Sequence, residues 1–237
     1  MNSIPAHTLS AYDQDLEKLR GLIVRMGRQC EAQIVGAVDA LARRDAVAAA
    51  LIVAGDAQID ALEAETESFA IQTIALRAPV AVDLREIVAA LKISAILERV
   101  GDYAKNIAKR TTVLAQGAPM EPTVIVSEMA RMVAEMVTSA IDAFVARDAA
   151  AAAAVADSDQ LVDDFYTSLF RSLLTFMMEN PQRITASAHL LFIAKSLERI
   201  GDHATNIAEL VTYSATGERM AERTKRDDTA SVTDRQR

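Results

Sequence analysis

Apolar residues recur at Leu9, Leu16, Leu19, Ile23, Met26, Cys30, Ile34, Val38 and Leu41. Steps of three, four and seven lay one stripe along an α-helix, so the pattern predicts a long amphipathic helix from about Leu9. The charged stretch Ala42-Arg43-Arg44-Asp45 interrupts it, and Asp45 is placed to cap a second helix running to about Leu76. A third helix is expected to begin between Val80 and Asp83 and to end near Ala115. Gly117, Pro119 and Pro122 crowd residues 117–122, which predicts a linker there. Beyond it the plan returns, with helices expected over 123–146, 148–179 and 181–215. Asn180 is expected to cap the last of these, with Pro181 in its first turn. Met129, Met132 and Met136 fall on one face and read as core, and Ala149 to Ala154 is a helix-forming run. Residues 1–8 and the charged segment 217–237 lack an apolar face and are expected to be a flexible N-terminus and a disordered polar tail. Alternating strand patterns are missing. The fold class expected is all-α: six long helices in two similar antiparallel three-helix bundles, residues 9–116 and 123–216.

The two bundles are copies. Segments 91–108 and 191–208 share Leu91, Ile93, Leu97, Glu98, Arg99, Gly101, Asp102, Ala104, Asn106, Ile107 and Ala108 at an offset of one hundred. Earlier positions match at an offset of 103: Arg44-Asp45 with Arg147-Asp148, Asp39 with Asp142, and Asp56/Asp60 with Asp159/Asp163. The difference must be absorbed near Arg77-Ala78-Pro79 and Glu179-Asn180-Pro181, where proline marks a helix boundary. A repeat of this kind signals duplication of one supersecondary unit.

Composition narrows the partners. The chain of 237 residues is 51% hydrophobic but only 4% aromatic, has no Trp, and carries a formal charge of -8. Such a balance disfavours nucleic acid and anionic lipid, both of which require a basic face. The conspicuous apolar run Ala46 to Gly55 has about half the length that spans a bilayer, so no membrane insertion is expected. The N-terminus lacks the basic and apolar regions of a signal peptide. A single cysteine, Cys30, fits a reducing compartment and reads as filler rather than a nucleophile.

The repeated chemistry is acidic. Glu98, Asp102 and Asn106 stand at i, i+4 and i+8, as do Glu198, Asp202 and Asn206, so each trio forms an oxygen-rich column on one helix face. Asp56, Asp60, Glu63 and Glu67 form a further column on the second helix. Like charges at that spacing repel, and a column gains only if something positive answers it: a metal, Arg99 or Arg199, a partner's basic patch, or water. Oxygen ligands suit Mg²⁺, Ca²⁺, Mn²⁺ or iron. Gly101 and Gly201 interrupt the columns, where glycine costs about 1 kcal/mol relative to alanine. Either a neighbouring helix approaches closely, or space is kept for a metal or partner. His189 and His203 fall roughly on one face but are not matched between the copies. No Glu-x-x-His pair, phosphate-binding glycine loop or nucleophile elbow is present.

Arg77-Ala78-Pro79-Val80-Ala81-Val82-Asp83-Leu84-Arg85, followed by Leu97 to Ile107 and its copy Leu197 to Ile207, resembles the signature of the PhoU family of bacterial phosphate-signalling proteins. The similarity runs over about residues 9 to 215. It implies a cytoplasmic, homodimeric, non-enzymatic regulator. In plentiful phosphate such a protein links the ATPase subunit of the high-affinity phosphate ABC transporter to its sensor histidine kinase and represses the starvation response. Some members hold multinuclear iron or zinc clusters on Glu/Asp-x-x-x-Asp motifs, and others carry no metal. Here the motifs would be Glu98/Asp102 and Glu198/Asp202, faced by Asp56/Asp60 and Asp159/Asp163. Iron, zinc, manganese or magnesium are the candidate ions. Arg99, Asn106, Arg199 and Asn206 are the candidate partner contacts. The copies differ where Glu63 and Glu67 are answered by Tyr166 and Phe170. The competing classes are a carboxylate-bridged metal enzyme, against which the lack of histidine ligands weighs, and a helical scaffold unrelated to phosphate.

Overall fold

A computed structural model describes residues 6–117 and 123–220; the expectations for residues 1–5, 118–122 and 221–237 lie outside the described residues. Six long α-helices run in order: α1 Ala6–Arg43, α2 Ala46–Arg77, α3 Ala81–Leu114, α4 Thr123–Ala146, α5 Ala149–Glu179 and α6 Ile184–Thr216. The first starts three residues before the sequence pattern becomes apolar. Of the segment expected to be a tail, Gly217 closes α6 in the left-handed conformation, and Met220 packs against the core.

The repeated Arg-Asp dipeptide is the joint of each bundle. Asp45 N–H donates to Ala40 O and Arg44 N–H to Leu41 O, and the second copy repeats this with Asp148 to Ala143 and Arg147 to Phe144. This is the Schellman closure of a helix, which needs a left-handed residue. Arg44 and Arg147 supply it with φ of 56° and 54°, a conformation that costs an L-residue about 1 kcal/mol or more. The following aspartate starts the next helix: Asp45 Oδ1 accepts from Val47 N and Ala48 N, and Asp148 Oδ1 from Ala150 N and Ala151 N. Asn180 behaves differently from expectation. It makes no side-chain cap; a 3-10 turn, Pro181–Arg183, precedes α6 with Pro181 at its start. Asn180 Nδ2 instead donates back to Phe176 O of α5.

Packing joins the halves into one body. Within each half the α2–α3 and α5–α6 hairpins lie against α1 and α4, and across the halves α1 packs on α4 and α3 on α6. Four helices therefore ring a shared centre, with α2 and α5 covering its two flanks. One continuous core includes Met26, Ile34 and Ile93 from the first half and Met129, Phe144 and Ile193 from the second. Half-buried beside it, Tyr103 of α3 and His203 of α6 occupy corresponding positions of the repeat and lie ring to ring, centroids 5.6 Å apart.

Candidate functional site

Each signature segment meets its facing acidic pair across a helix junction, α2 against α3 and α5 against α6. The glycine at each junction explains the close approach. A Cβ on Gly101 would stand 2.7 Å from Ile59 Cδ1 and 3.4 Å from Asp56 Oδ1; one on Gly201 would stand 3.3 Å from Asp159 Oδ1. The glycines thus admit the neighbouring helix, and with it a carboxylate that becomes nearly enclosed. Asp56 is 3% exposed and Asp159 6%. The columns are therefore not wholly surface features: their inner members are buried, while Asp60 and Glu67 are exposed and Glu63, Glu98, Asp102, Asp163, Glu198 and Asp202 are half-buried.

In the first repeat the answering charge is Lys105. Its ammonium donates to the buried Asp56 carboxylate on α2 and to Asp102 Oδ1 on α3, the latter at 3.2 Å. These bonds, with Asp56 first, hold the Lys105 pKa well above the usual lysine value. The remaining carboxylates feel one another. Burial, then Asp102, Glu63, Asp60 and Asp56 raise the pKa of Glu98; burial, Glu67 and Asp60 raise that of Glu63. Removing a carboxylate from water and setting like charges beside it both disfavour the ionised form.

The second repeat is built differently. Position 205, corresponding to Lys105, is a buried threonine whose hydroxyl has no hydrogen-bond partner. Lys195 of α6 pairs with Glu198 Oε1 at 2.7 Å and lies over the Tyr166 ring, while Glu198 Oε2 is buried without a hydrogen-bond partner. Burial raises the Glu198 pKa, Lys195 opposes it, and Asp202 and Asp163 add to it. Tyr166 and Phe170 lie at the positions of Glu63 and Glu67, their ring centroids 6.4 Å apart. Burial, with Arg99 next, lowers the pKa of His203.

For a metal ion the two junctions test differently. In the first, a lysine ammonium already bonds one carboxylate from each helix, so the donor set does not fit a divalent cation. In the second, Lys195 holds one oxygen of Glu198, while Glu198 Oε2 and the Thr205 hydroxyl are buried without hydrogen-bond partners; oxygen donors are the type a hard cation takes. As the side chains stand, no group of three or more His, Cys, Asp or Glu among the described residues is arranged to hold an ion. Arg99, Asn106, Arg199 and Asn206 are all exposed, and Asn206 lines a groove of 860 Å³ between α3 and α6 with Lys92 and Tyr213. Cys30 donates its thiol to Leu97 O at 3.2 Å in the core, and burial pushes its pKa far up, which leaves it unsuited to nucleophilic chemistry.

Sequence reasoning missed Lys105 as the counter-ion. The signal was present, since Lys105 stands three residues after Asp102 and the repeat breaks there to Thr205. It also missed Glu86, a buried carboxylate of α3 that receives Arg20 of α1 at 2.6 Å and Arg147 of the α4–α5 joint. No spacing in the sequence links Glu86 to Arg147.

The geometry defines a class: a duplicated helical-bundle protein whose repeated polar face is carboxylate, assembled at junctions between helices. Comparison with known proteins is specific. The PhoU domain family model matches residues 23–111 and 126–211. A phosphate-specific transport system accessory protein PhoU homolog of Zymomonas mobilis is 51% identical over 222 residues, covering 94% of each chain. The Caulobacter vibrioides homolog of the same description is 45% identical, covering 95% of this chain and 98% of its own. Crystal structures of PhoU from Pseudomonas aeruginosa and of the phosphate transport system regulatory protein PhoU from Streptococcus pneumoniae superpose with TM-scores of 0.83 and 0.80. Their sequence identities are 38% and 26%; they cover 87% and 88% of this chain and 100% and 99% of their own. The chain belongs to the PhoU family.

Proposed function

We propose that this chain is a non-catalytic accessory protein of phosphate transport and a negative regulator of the phosphate-starvation response. When phosphate is plentiful, it bridges the ATPase subunit of the high-affinity phosphate ABC transporter and the sensor histidine kinase, acting in the cytoplasm as a homodimer. The relationship to proteins described as phosphate-transport accessory and regulatory components supports the process. The observation that carries the adaptor reading is the pair of acidic junctions on one continuous core, each flanked by an exposed arginine, Arg99 or Arg199, and an exposed asparagine, Asn106 or Asn206. Basic surfaces on the transporter and kinase would complement them, with charge setting encounter rate and partner choice. No helix among the described residues is long and apolar enough to cross a membrane, which suits a protein that docks on membrane complexes from one side.

The test is Asp102→Ala combined with Asp202→Ala in the full chain, with a phosphate-starvation reporter read in rich phosphate. Derepression is expected, together with loss of transporter and kinase co-purification, while circular dichroism and protein level stay at parental values. Normal repression by a stably accumulated double variant would sink the reading.

A further inference from the structure

Lys105 and Thr205 occupy one position of the repeat and meet opposite circumstances. The lysine reaches across the α2–α3 junction to a carboxylate that is 3% exposed, and also holds Asp102 of its own helix. Only a quarter of the lysine side chain is exposed, at 27%. A divalent cation entering between Asp56 and Asp102 would have to displace an ammonium already bonded to both, and the freed ammonium would then face the incoming charge. In the α5–α6 junction no lysine holds this position. Thr205 lies three residues after Asp202 and seven after Glu198, on their face of α6. Both its hydroxyl and Glu198 Oε2 are buried without hydrogen-bond partners. Lys195 engages only the other oxygen of Glu198. Buried oxygens left in that state cost free energy, whereas in the first junction the lysine satisfies the carboxylates it reaches.

We propose that Lys105 is the resident counter-ion of the first acidic junction and keeps divalent metal out of it, so that the carboxylate motif of the first repeat does not serve this chain as a metal site. The duplicated carboxylate motif is thus answered in its first copy by an ammonium of the chain itself. The inference does not depend on the regulatory reading, because its readout is ion binding by the purified protein.

The experiment titrates the full chain with Mn²⁺ alone and counts bound ion by electron paramagnetic resonance of the free aquo ion. In the parent, Asp102→Asn and Glu98→Gln are expected to leave Mn²⁺ uptake unchanged. Lys105→Thr, which gives the first junction the residue of the second, is expected to raise the number of ions bound per chain, and adding Glu98→Gln should abolish the increment. Its melting temperature should fall without Mn²⁺ and recover with it. Lys105→Met is the second variant should the threonine disturb folding, with circular dichroism as the check on both. Parent uptake that drops with Asp102→Asn, or folded Lys105 variants that bind no more Mn²⁺ than the parent, would overturn the proposal. If the parent binds no Mn²⁺ at all, gain on removing Lys105 still decides for it, and absence of gain against it.

Discussion

At the scale of the residue, the repeated glycines show how one atom sets a junction. Gly101→Ala must move the δ-methyl of Ile59, itself fully buried. Overpacking of that kind costs about 1–3 kcal/mol, against about 1 kcal/mol recovered in helix propensity. Gly201→Ala meets its nearest atom at 3.3 Å and should come out near neutral. Urea unfolding is expected to rank Gly101→Ala as the more damaging, and the opposite order would contradict the packing described. The glutamates add a pH signature. Glu63, Glu98 and Glu198 all titrate above the ordinary 4.5 in the folded chain. A raised folded pKa means the native state holds the proton more readily than the unfolded chain. Their contribution is complete below about 4.5 and is lost as pH rises through the folded values. A triple Gln variant, fixed in the neutral form, should therefore exceed the parent in melting temperature at pH 7, with the gap closing as pH falls toward 5. Parallel melting curves would show that the carboxylates do not repel in the native state.

At the scale of the element, the periodicity of apolar positions located α1, because a helix buries a stripe whose spacing is written directly in the chain, and caps, prolines and the internal repeat placed the other five. Boundaries were legible where local chemistry makes them. Asp45 and Asp148 each cap a helix with two backbone bonds, and replacing either by alanine should cost about 1 kcal/mol. Chemical denaturation of the two single variants and the double would check this, with near-additive losses expected for sites in separate bundles. Asn180 was misread for a related reason. Its side chain could cap the helix ahead or bond the one behind, and only the 3-10 turn at Pro181 decides that it bonds Phe176 O. The arginines at the joints carry left-handed strain that glycine would avoid, yet each guanidinium is engaged: Arg44 with Ala115 O at 2.8 Å, Arg147 with Glu86.

At the scale of the whole molecule, the two sequence copies share one core. Because α1 packs on α4 and α3 on α6 over one continuous core, thermal unfolding should be a single transition with calorimetric and van't Hoff enthalpies in agreement. Two resolved transitions would mean that the halves are separable. Glu86 ties the halves directly, bonding Arg20 from one and Arg147 from the other. Removing one member of a buried ion pair costs up to about 3–5 kcal/mol, and the partial exposure of both arginines lowers this to about 2–3 kcal/mol for Glu86→Ala. That loss should appear as a lower urea midpoint with an unchanged slope.

The amino-acid sequence alone determined the helices, their duplication, the absence of a strand pattern and the repeated carboxylate motifs, since all of these are local regularities of spacing. Tertiary structure decided which carboxylates are enclosed, that Lys105 rather than an arginine answers Asp56, and that Thr205 and Glu198 keep unsatisfied oxygens in the second junction. It also decided that Glu86 joins the halves. Each of these depends on which helix lies opposite which and on where water is excluded. Burial and charge pairing between residues 49 or 61 positions apart follow from the closing of the core, and no periodicity along one helix records them.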